Sequence, residues 1–252
     1  YLDLMTTDPS YNLAMEQYVF DCLPRDRMYF MLWQNDNAII VGKYQNTIAE
    51  INEEAVRERG IRDEAVLAAL AAVPRHLFVE EALASRAYED TALPLGFSQT
   101  ISQPFVVARM IEILREGRSG LGKTLEIGAG CGYQAAVLAQ LTDEVYAVER
   151  IEPLLAKAKA NMRKIQQFKV RLKYADGQLG LPEAAPFDTI IVAAAAPTIP
   201  QALLQQLALG GRMLLPLGTG SQFLHLVEHR PEGFVNTRLD AVRFVPLLSG
   251  LE

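Results

Sequence analysis

Apolar positions along the chain change period repeatedly, and this alternation predicts strands separated by helices. Mainly apolar runs at residues 124–127, 144–149, 187–193 and 211–216 are typical of buried strands, and residues 170–174 are a further predicted strand. Helical spacing at 134–141, 153–164 and 201–207 falls between most of them, whereas the strand-like runs 224–229 and 239–246 have no helix between them. The pattern predicts a doubly wound α/β fold whose sheet is mainly parallel, with antiparallel strands at its C-terminal end.

Upstream of this series, amphipathic helices are predicted at 62–73 and 103–115, with a loop at 88–98 between them. The first 60 residues form a separate group. Their pattern predicts a helix at 11–20, a hairpin of strands 29–33 and 38–41, and a polar helix at 52–59 that ends at Gly60. We therefore expect a small N-terminal α/β appendage on a larger domain.

Three glycines follow the 124–127 strand at alternate positions, Gly128, Gly130 and Gly132. Such a turn lets a ligand approach the backbone where a Cβ would collide. Its G-x-G-x-G spacing, with Glu126 ahead of it, differs from the G-x-G-x-x-G of dinucleotide-binding turns. Glu149 ends the next predicted strand, 23 residues after Glu126, and a carboxylate there can accept both hydroxyl protons of a ribose. A plain strand–helix turn and a helix-capping acid are the structural alternatives.

Composition and charge exclude several classes of function. The chain has 252 residues, a net charge of −6 and no apolar run of about 18 residues, so we expect no membrane span and no nucleic-acid partner. Cys22 and Cys131 form no disulfide framework, and we expect a cytoplasmic protein. The histidines lack a convincing metal-ligand spacing, so no metal is expected. Residues 1–60 hold 10 acids and 5 bases, whereas the remainder is close to neutral, which indicates two origins.

From Gly60 onward the chain resembles one family in a series of sequence segments that occur in the same order: GIRDEAVLAALAAVPRHLFV, YEDTALPLGFSQTISQPFVVARMIEIL, LEIGAGCGYQAAVLA, VERI, ADG, FDTIIVAAAAPTIPQALLQQL, GGRMLLPLG and AVRFVPL. It resembles the protein-L-isoaspartate O-methyltransferases. The resemblance implies a Rossmann-like methyltransferase domain at 61–252 that uses S-adenosyl-L-methionine and yields S-adenosyl-L-homocysteine. The implied acceptor is the α-carboxyl of L-isoaspartyl residues in damaged proteins, and D-aspartyl activity stays open.

The resemblance also implies site residues. Ser102, in QTISQP, is the implied catalytic residue near the methyl acceptor, although local pattern also allows it as the N-cap of the helix that follows. The resemblance places Asp176 near the adenine, although the local pattern is explained equally well by an Asp-Gly turn. The residues expected to bind the cofactor are Thr100, Glu126, Gly128, Gly130, Gly132, Glu149, Asp176, Gly177 and Gln222.

Residues 1–60 resemble the opening of lipoate-protein ligases in TTDPSYNLAMEQYVF and FMLWQNDNAIIVGKYQNTIAEIN. The RRxxGGGxxxHD segment and the lysine that follow in that family do not occur here. We therefore expect a ligase fragment without ligase activity, in which Trp33 is a core residue.

Three alternatives remain open at this point: methylation of another carboxylate or small molecule, a lipoyl- or protein-binding module, and an inactive chimeric scaffold. The oligomeric state is not predicted.

Overall fold

The computed structural model describes residues 55–252 and two short strands, Leu2–Asp3 (β1) and Met31–Leu32 (β2), which pair in parallel. The predicted helix 11–20, strand 38–41, Trp33 and Cys22 lie outside the described residues. The chain divides into two compact units, Tyr1–Thr47 and Ile48–Glu252. No helix in the described ranges is long and apolar enough to cross a membrane.

The described part of the larger unit begins with helical residues 55–58, and the chain turns at Gly60, where φ is +107°. Helix α1, Glu64–Ala72, follows, with Asp63 as its N-cap. The predicted loop 88–98 is corrected in part. It contains strand Leu93–Gly96 (β3), which forms a hairpin with Gln99–Ile101 (β4). The sequence did not indicate this strand because only two buried leucines alternate with Pro94 and Gly96. Helix α2 spans Pro104–Arg115.

The main sheet has seven strands: Thr124–Ile127 (β5), Val145–Glu149 (β6), Val170–Tyr174 (β7), Phe187–Val192 (β8), Leu207–Leu217 (β9), Gln222–Arg230 (β10) and Gly233–Val242 (β11). Their order is β11-β10-β9-β8-β5-β6-β7. The five strands from β9 to β7 are parallel, and β10 and β11 are antiparallel. The predicted doubly wound, mainly parallel sheet with antiparallel C-terminal strands is confirmed.

Three helices connect the parallel strands: Tyr133–Leu141 (α3), Glu152–Lys164 (α4) and Gln201–Gln205 (α5). All four residues of β5 are buried, since this strand has a neighbour on each side and layers on both faces. The chain leaves β5 toward β6 on one side and reaches β8 on the other. The crevice beyond the carboxyl end of β5 is therefore the topological switch point, where ligands bind in such sheets.

Two strands at the C-terminal end of the sheet, β9 and β11, have limits that differ from the predicted ones. β9 starts at Leu207 instead of residue 211, which also shortens the helix predicted at 201–207 to Gln201–Gln205. β11 spans Gly233–Val242 instead of 239–246. Most of β11 is exposed at the sheet edge, so its side chains do not carry the apolar pattern of a core strand.

Candidate active site

The glycine turn after β5 uses its three glycines in two different ways. Gly128, Gly130 and Gly132 have φ values of +86°, +54° and +89°, the left-handed region that favours glycine. A Cβ on Gly128 or Gly130 would find only ordinary contacts, 3.8 Å from Ala193 Cβ and 3.5 Å from Leu95 Cδ1. A Cβ on Gly132 would lie 2.8 Å from Met162 Cε, so Gly132 permits close packing of α3 on α4. Only the first two glycines therefore leave space for a ligand.

That space is a narrow cavity of about 60 Å³, which we call the inner cavity. It brings together predicted site residues from three separate segments, namely Thr100, Ser102, Glu126, Gly128, Gly130 and Glu149. A second narrow cavity, the tail cavity, shares Gly128 with it and is lined by Gly177 and Leu247. The two cavities together follow the carboxyl ends of β5 and β6.

Glu149 ties the glycine turn to the end of β6. Its Oε2 accepts a hydrogen bond from the Gly130 N–H at 2.8 Å, and its Oε1 accepts one from the Ile151 N–H at 2.9 Å. The residue is 6% exposed. A carboxylate has about four acceptor positions, so two remain for hydrogen-bond donors of a ligand. Glu149 thus fixes the turn and still faces the inner cavity.

Glu126 is the unusual group of the inner cavity. It lies on the buried strand β5, is 1% exposed, and neither of its carboxyl oxygens has a hydrogen-bond partner. Burial raises the pKa of Glu126 well above its ordinary value, and the negative charge of Glu149 raises it further. The nearby Gln134 amide lowers this pKa, although it forms no hydrogen bond of good geometry with Glu126. A buried acid without a partner beside a ligand cavity fits a cationic group. S-adenosylmethionine carries such groups, so these residues fit that cofactor.

The burial of Glu126 predicts proton release when S-adenosylmethionine binds. A bound cation favours the ionised carboxylate, so the affinity should increase with pH until Glu126 is already ionised in the free protein. Calorimetry between about pH 5 and 8, in buffers of different ionisation enthalpy, counts the released protons. The Glu126→Gln variant should release none from this position and should bind the cofactor more weakly. Equal proton release by wild type and Glu126→Gln would contradict the assignment.

The same substitution should stabilise the free protein. Because the pKa of Glu126 is raised in the folded state, the folded chain holds a proton that the unfolded chain has lost, and stability falls as pH increases above the ordinary pKa. Glu126→Gln should remove this loss and raise the thermal midpoint at neutral pH. Exposed Glu183 offers a matched control, since Glu183→Gln should change neither the midpoint nor proton release.

Ser102 does not cap a helix. The N-cap of α2 is Gln103, and the Phe105 N–H donates to Asp90 Oδ1 at 2.9 Å. The Ser102 hydroxyl makes no hydrogen bond within the described part of the chain. The half-buried residue lines the inner cavity and also a larger cavity of about 860 Å³, the outer cavity, on its other side. Thr100 lines both cavities as well. A free hydroxyl therefore lies where the two cavities adjoin.

Other predicted site residues hold structure around the cavities. Asp176 Oδ2 accepts from the Gly250 N–H at 2.6 Å, and Gln222 exchanges two hydrogen bonds with the Phe244 backbone, at 2.6 and 3.1 Å. Neither residue lines the three cavities. Gly177 lines the tail cavity, but a Cβ there would also lie 2.5 Å from Ile127 Cγ2. These contacts secure the C-terminal segment that walls the tail and outer cavities.

The histidines have hydrogen-bond partners of their own. His76 Nδ1 lies 2.7 Å from the Tyr88 hydroxyl, His225 Nδ1 lies 2.9 Å from Asn236 Oδ1, and His229 Nδ1 lies 2.8 Å from the Leu207 carbonyl oxygen. Within the ranges that the structure describes, no cluster of His, Cys, Asp and Glu could hold a metal ion. Burial raises the pKa of the Cys131 thiol to about 11. Cys131 therefore lines the inner cavity as a small, uncharged side chain.

Sequence reasoning missed part of the cavity lining. Leu95 on β3 closes the inner cavity, and Arg243 lines the outer cavity just after β11. The only signal for Leu95 was its brief alternation with Leu93, and Arg243 had no local signal, since its position depends on the fold of the whole C-terminal segment.

The sheet order and the glycine turn at its switch point are those of a class I S-adenosylmethionine-dependent methyltransferase. A solved protein-L-isoaspartate O-methyltransferase matches the fold with a TM-score of 0.73 and 28% sequence identity, covering 81% of this chain and 67% of that one. A Plasmodium falciparum chain described as a protein of this kind, in complex with S-adenosyl-L-homocysteine, matches with a TM-score of 0.65 at 23% identity, covering 81% of this chain and 97% of that one.

Residues 46–252 match the model of the protein-L-isoaspartate(D-aspartate) O-methyltransferase family, PCMT. The Dechloromonas aromatica protein-L-isoaspartate O-methyltransferase is 76% identical over 199 residues, which are 79% of this chain and 92% of the relative. The Azoarcus protein of the same name is 64% identical over the same coverage. The chain belongs to this family.

Residues 8–62 match a second model, the lipoyl protein ligase A/B catalytic domain. This match overlaps the methyltransferase match at residues 46–62. The predicted resemblance of the first 60 residues to lipoate-protein ligases is thereby confirmed.

Proposed function

We propose that this chain transfers a methyl group from S-adenosylmethionine to the α-carboxyl of L-isoaspartyl residues in damaged proteins, which initiates their repair. The observation that carries the proposal is the free hydroxyl of Ser102 at the junction of the inner and outer cavities. Family membership supports the substrate class. When bound, S-adenosylmethionine supplies a methyl group activated by its positive sulfur, so an ionised carboxylate needs no general base to accept it.

We assign the residues that line the inner and tail cavities to the cofactor side of the site. In this proposal Glu126 faces the cationic part of the cofactor, the backbone at Gly128 and Gly130 passes along the nucleoside, and Glu149 accepts the ribose hydroxyl protons. Gly177 gives access to the tail cavity on the adenine side. The remaining predicted residues, Gly132, Asp176 and Gln222, support these positions through the packing and hydrogen bonds described above.

The acceptor side is the outer cavity. Its volume of about 860 Å³ lies within the range of pockets that hold ligands of drug size, and a short stretch of peptide fits such a space. In the proposal the Ser102 hydroxyl donates to one oxygen of the acceptor carboxylate and directs the other toward the inner cavity. Orientation of the reactants and exclusion of water are then the main contributions of the protein.

The division of labour that we propose assigns catalysis to residues 61–252 and no ligase chemistry to residues 1–60. The missing RRxxGGGxxxHD segment supports this view, because the ligase-like stretch ends before the residues that its family needs. We also propose a cytoplasmic enzyme. The free thiol of Cys131 suits a reducing compartment.

The proposed function predicts strict acceptor discrimination. Wild-type protein with radiolabelled S-adenosylmethionine should methylate an isoaspartyl peptide and leave its aspartyl twin unlabelled; a D-aspartyl twin tests the second acceptor that the family name includes. Cofactor binding without any peptide labelling would favour methylation of another small molecule. Absence of both would favour an inactive scaffold. A parallel reaction with ATP, lipoate and an acceptor domain should yield no lipoylated product, and such a product would contradict the fragment assignment.

A further inference from the structure

The outer cavity is lined by four charged side chains, and three of them have ion-pair partners. Arg59 pairs with Asp90. Arg109 pairs with Asp240, which also lines the cavity, at 3.0 Å, and with Glu112 at 3.1 Å. These pairs neutralise their charges locally, so none of the three side chains needs a charged partner from outside the protein.

Arg243 is the exception among the charged lining residues. It makes no ion pair and no hydrogen bond with any residue that the structure describes. Its backbone is nevertheless held in place by its neighbours: Gln222 bonds both backbone groups of Phe244, and the Val245 carbonyl oxygen accepts from the Ala195 N–H at 2.8 Å. A fixed backbone with an unpaired guanidinium places an available positive charge at this cavity.

The position of Arg243 in the cavity determines what it can reach. Ser102 is half-buried and adjoins the inner cavity, whereas Arg243 is exposed. Arg243 therefore lines the outer cavity alone, whereas Ser102 also lines the inner cavity. A peptide whose isoaspartyl carboxylate lies at Ser102 would have its neighbouring residues, rather than the carboxylate itself, beside Arg243.

We propose that Arg243 determines acceptor specificity by pairing with an acidic residue next to the isoaspartyl residue in the substrate. The preferred substrates are then isoaspartyl sites flanked by Asp or Glu, and sites flanked by Lys are disfavoured. This inference rests on the proposed function. Arg243 is suited to the role because its planar guanidinium binds carboxylates in a bidentate manner.

The test compares isoaspartyl peptides that differ only in the adjacent residue, which is Glu, Gln or Lys on either side. For the wild type, kcat/KM should decrease from Glu to Gln to Lys, with about three- to fivefold between Glu and Gln, the scale of an exposed ion pair. The difference should appear in KM and diminish with added salt. Arg243→Gln should remove the preference for Glu over Gln, and Arg243→Glu should reverse the order.

A matched control is Arg238→Gln. Arg238 lies on β11 and stacks on the Phe223 ring at 3.5 Å, outside the lining of the outer cavity, so this variant should keep the wild-type order. An equal loss for all peptides in Arg243→Gln would overturn the inference, as would a wild type that methylates the Gln peptide but shows no preference among neighbours. If wild type methylates none of the isoaspartyl peptides while binding the cofactor, the proposed function itself fails.

Discussion

We expect Gly130→Val to abolish binding of S-adenosylmethionine. Gly130 has a φ of +54°, and the protein leaves room for a Cβ there, since the nearest atom is Leu95 Cδ1 at 3.5 Å. Both residues line the inner cavity. The branched side chain would therefore occupy the space that the cofactor needs, beside the amide that donates to Glu149. Calorimetric titration with S-adenosylmethionine measures the loss directly.

The control for this variant separates the filled cavity from backbone strain. Gly117 has a φ of +69° with no atom within 4 Å of an added Cβ, and it lies outside the cavity linings. Gly117→Val should carry a similar left-handed penalty of roughly 1–2 kcal/mol and keep full cofactor affinity. Retained binding by a folded Gly130→Val protein would remove Gly130 from the cofactor site.

The central strands could be predicted because their environment is simple. Thr124–Ile127 matches its predicted limits and Phe187–Val192 ends one residue early, since short apolar runs between turn residues have few other structural solutions in a parallel sheet. β11 could not be placed in the same way. Its residues are mostly exposed, and its position depends on antiparallel pairing with β10 across the turn before Gly233.

The candidate site also contains residues that could be predicted from the sequence and residues that could not. Glu126, the first two glycines and Glu149 come together because they end adjacent parallel strands, a relation visible in the sequence spacing. The contacts of Asp176 depend on a chain segment that returns from Gly250, 74 residues later. No local pattern signals such a contact. For the same reason, the outer cavity and its unpaired Arg243 could be found only in the folded structure.

The second large effect concerns the acceptor side: Ser102→Ala should lower turnover on isoaspartyl peptide by about a hundredfold. That is the scale seen when one preorganised hydrogen-bond donor is removed from an active site. Cofactor affinity should stay close to wild type, because Glu126, Glu149 and the glycine backbone are unchanged. The thermal midpoint should also stay the same, since the Ser102 hydroxyl caps no helix and Gln103 occupies the N-cap position of α2.

Three measurements on the same protein decide the role of Ser102: cofactor affinity, thermal midpoint and initial rate. Ser102→Thr provides the conservative comparison, because it keeps the hydroxyl and the outer cavity has room for one more methyl group. We expect this variant to recover a large part of the rate that Ser102→Ala loses. A hydroxyl that orients the acceptor predicts a rate loss without a change in the midpoint. A lower midpoint with an unchanged rate would instead make Ser102 a structural residue, and the acceptor carboxylate would then have to be held by another group at the junction of the cavities, with Thr100 the next to test.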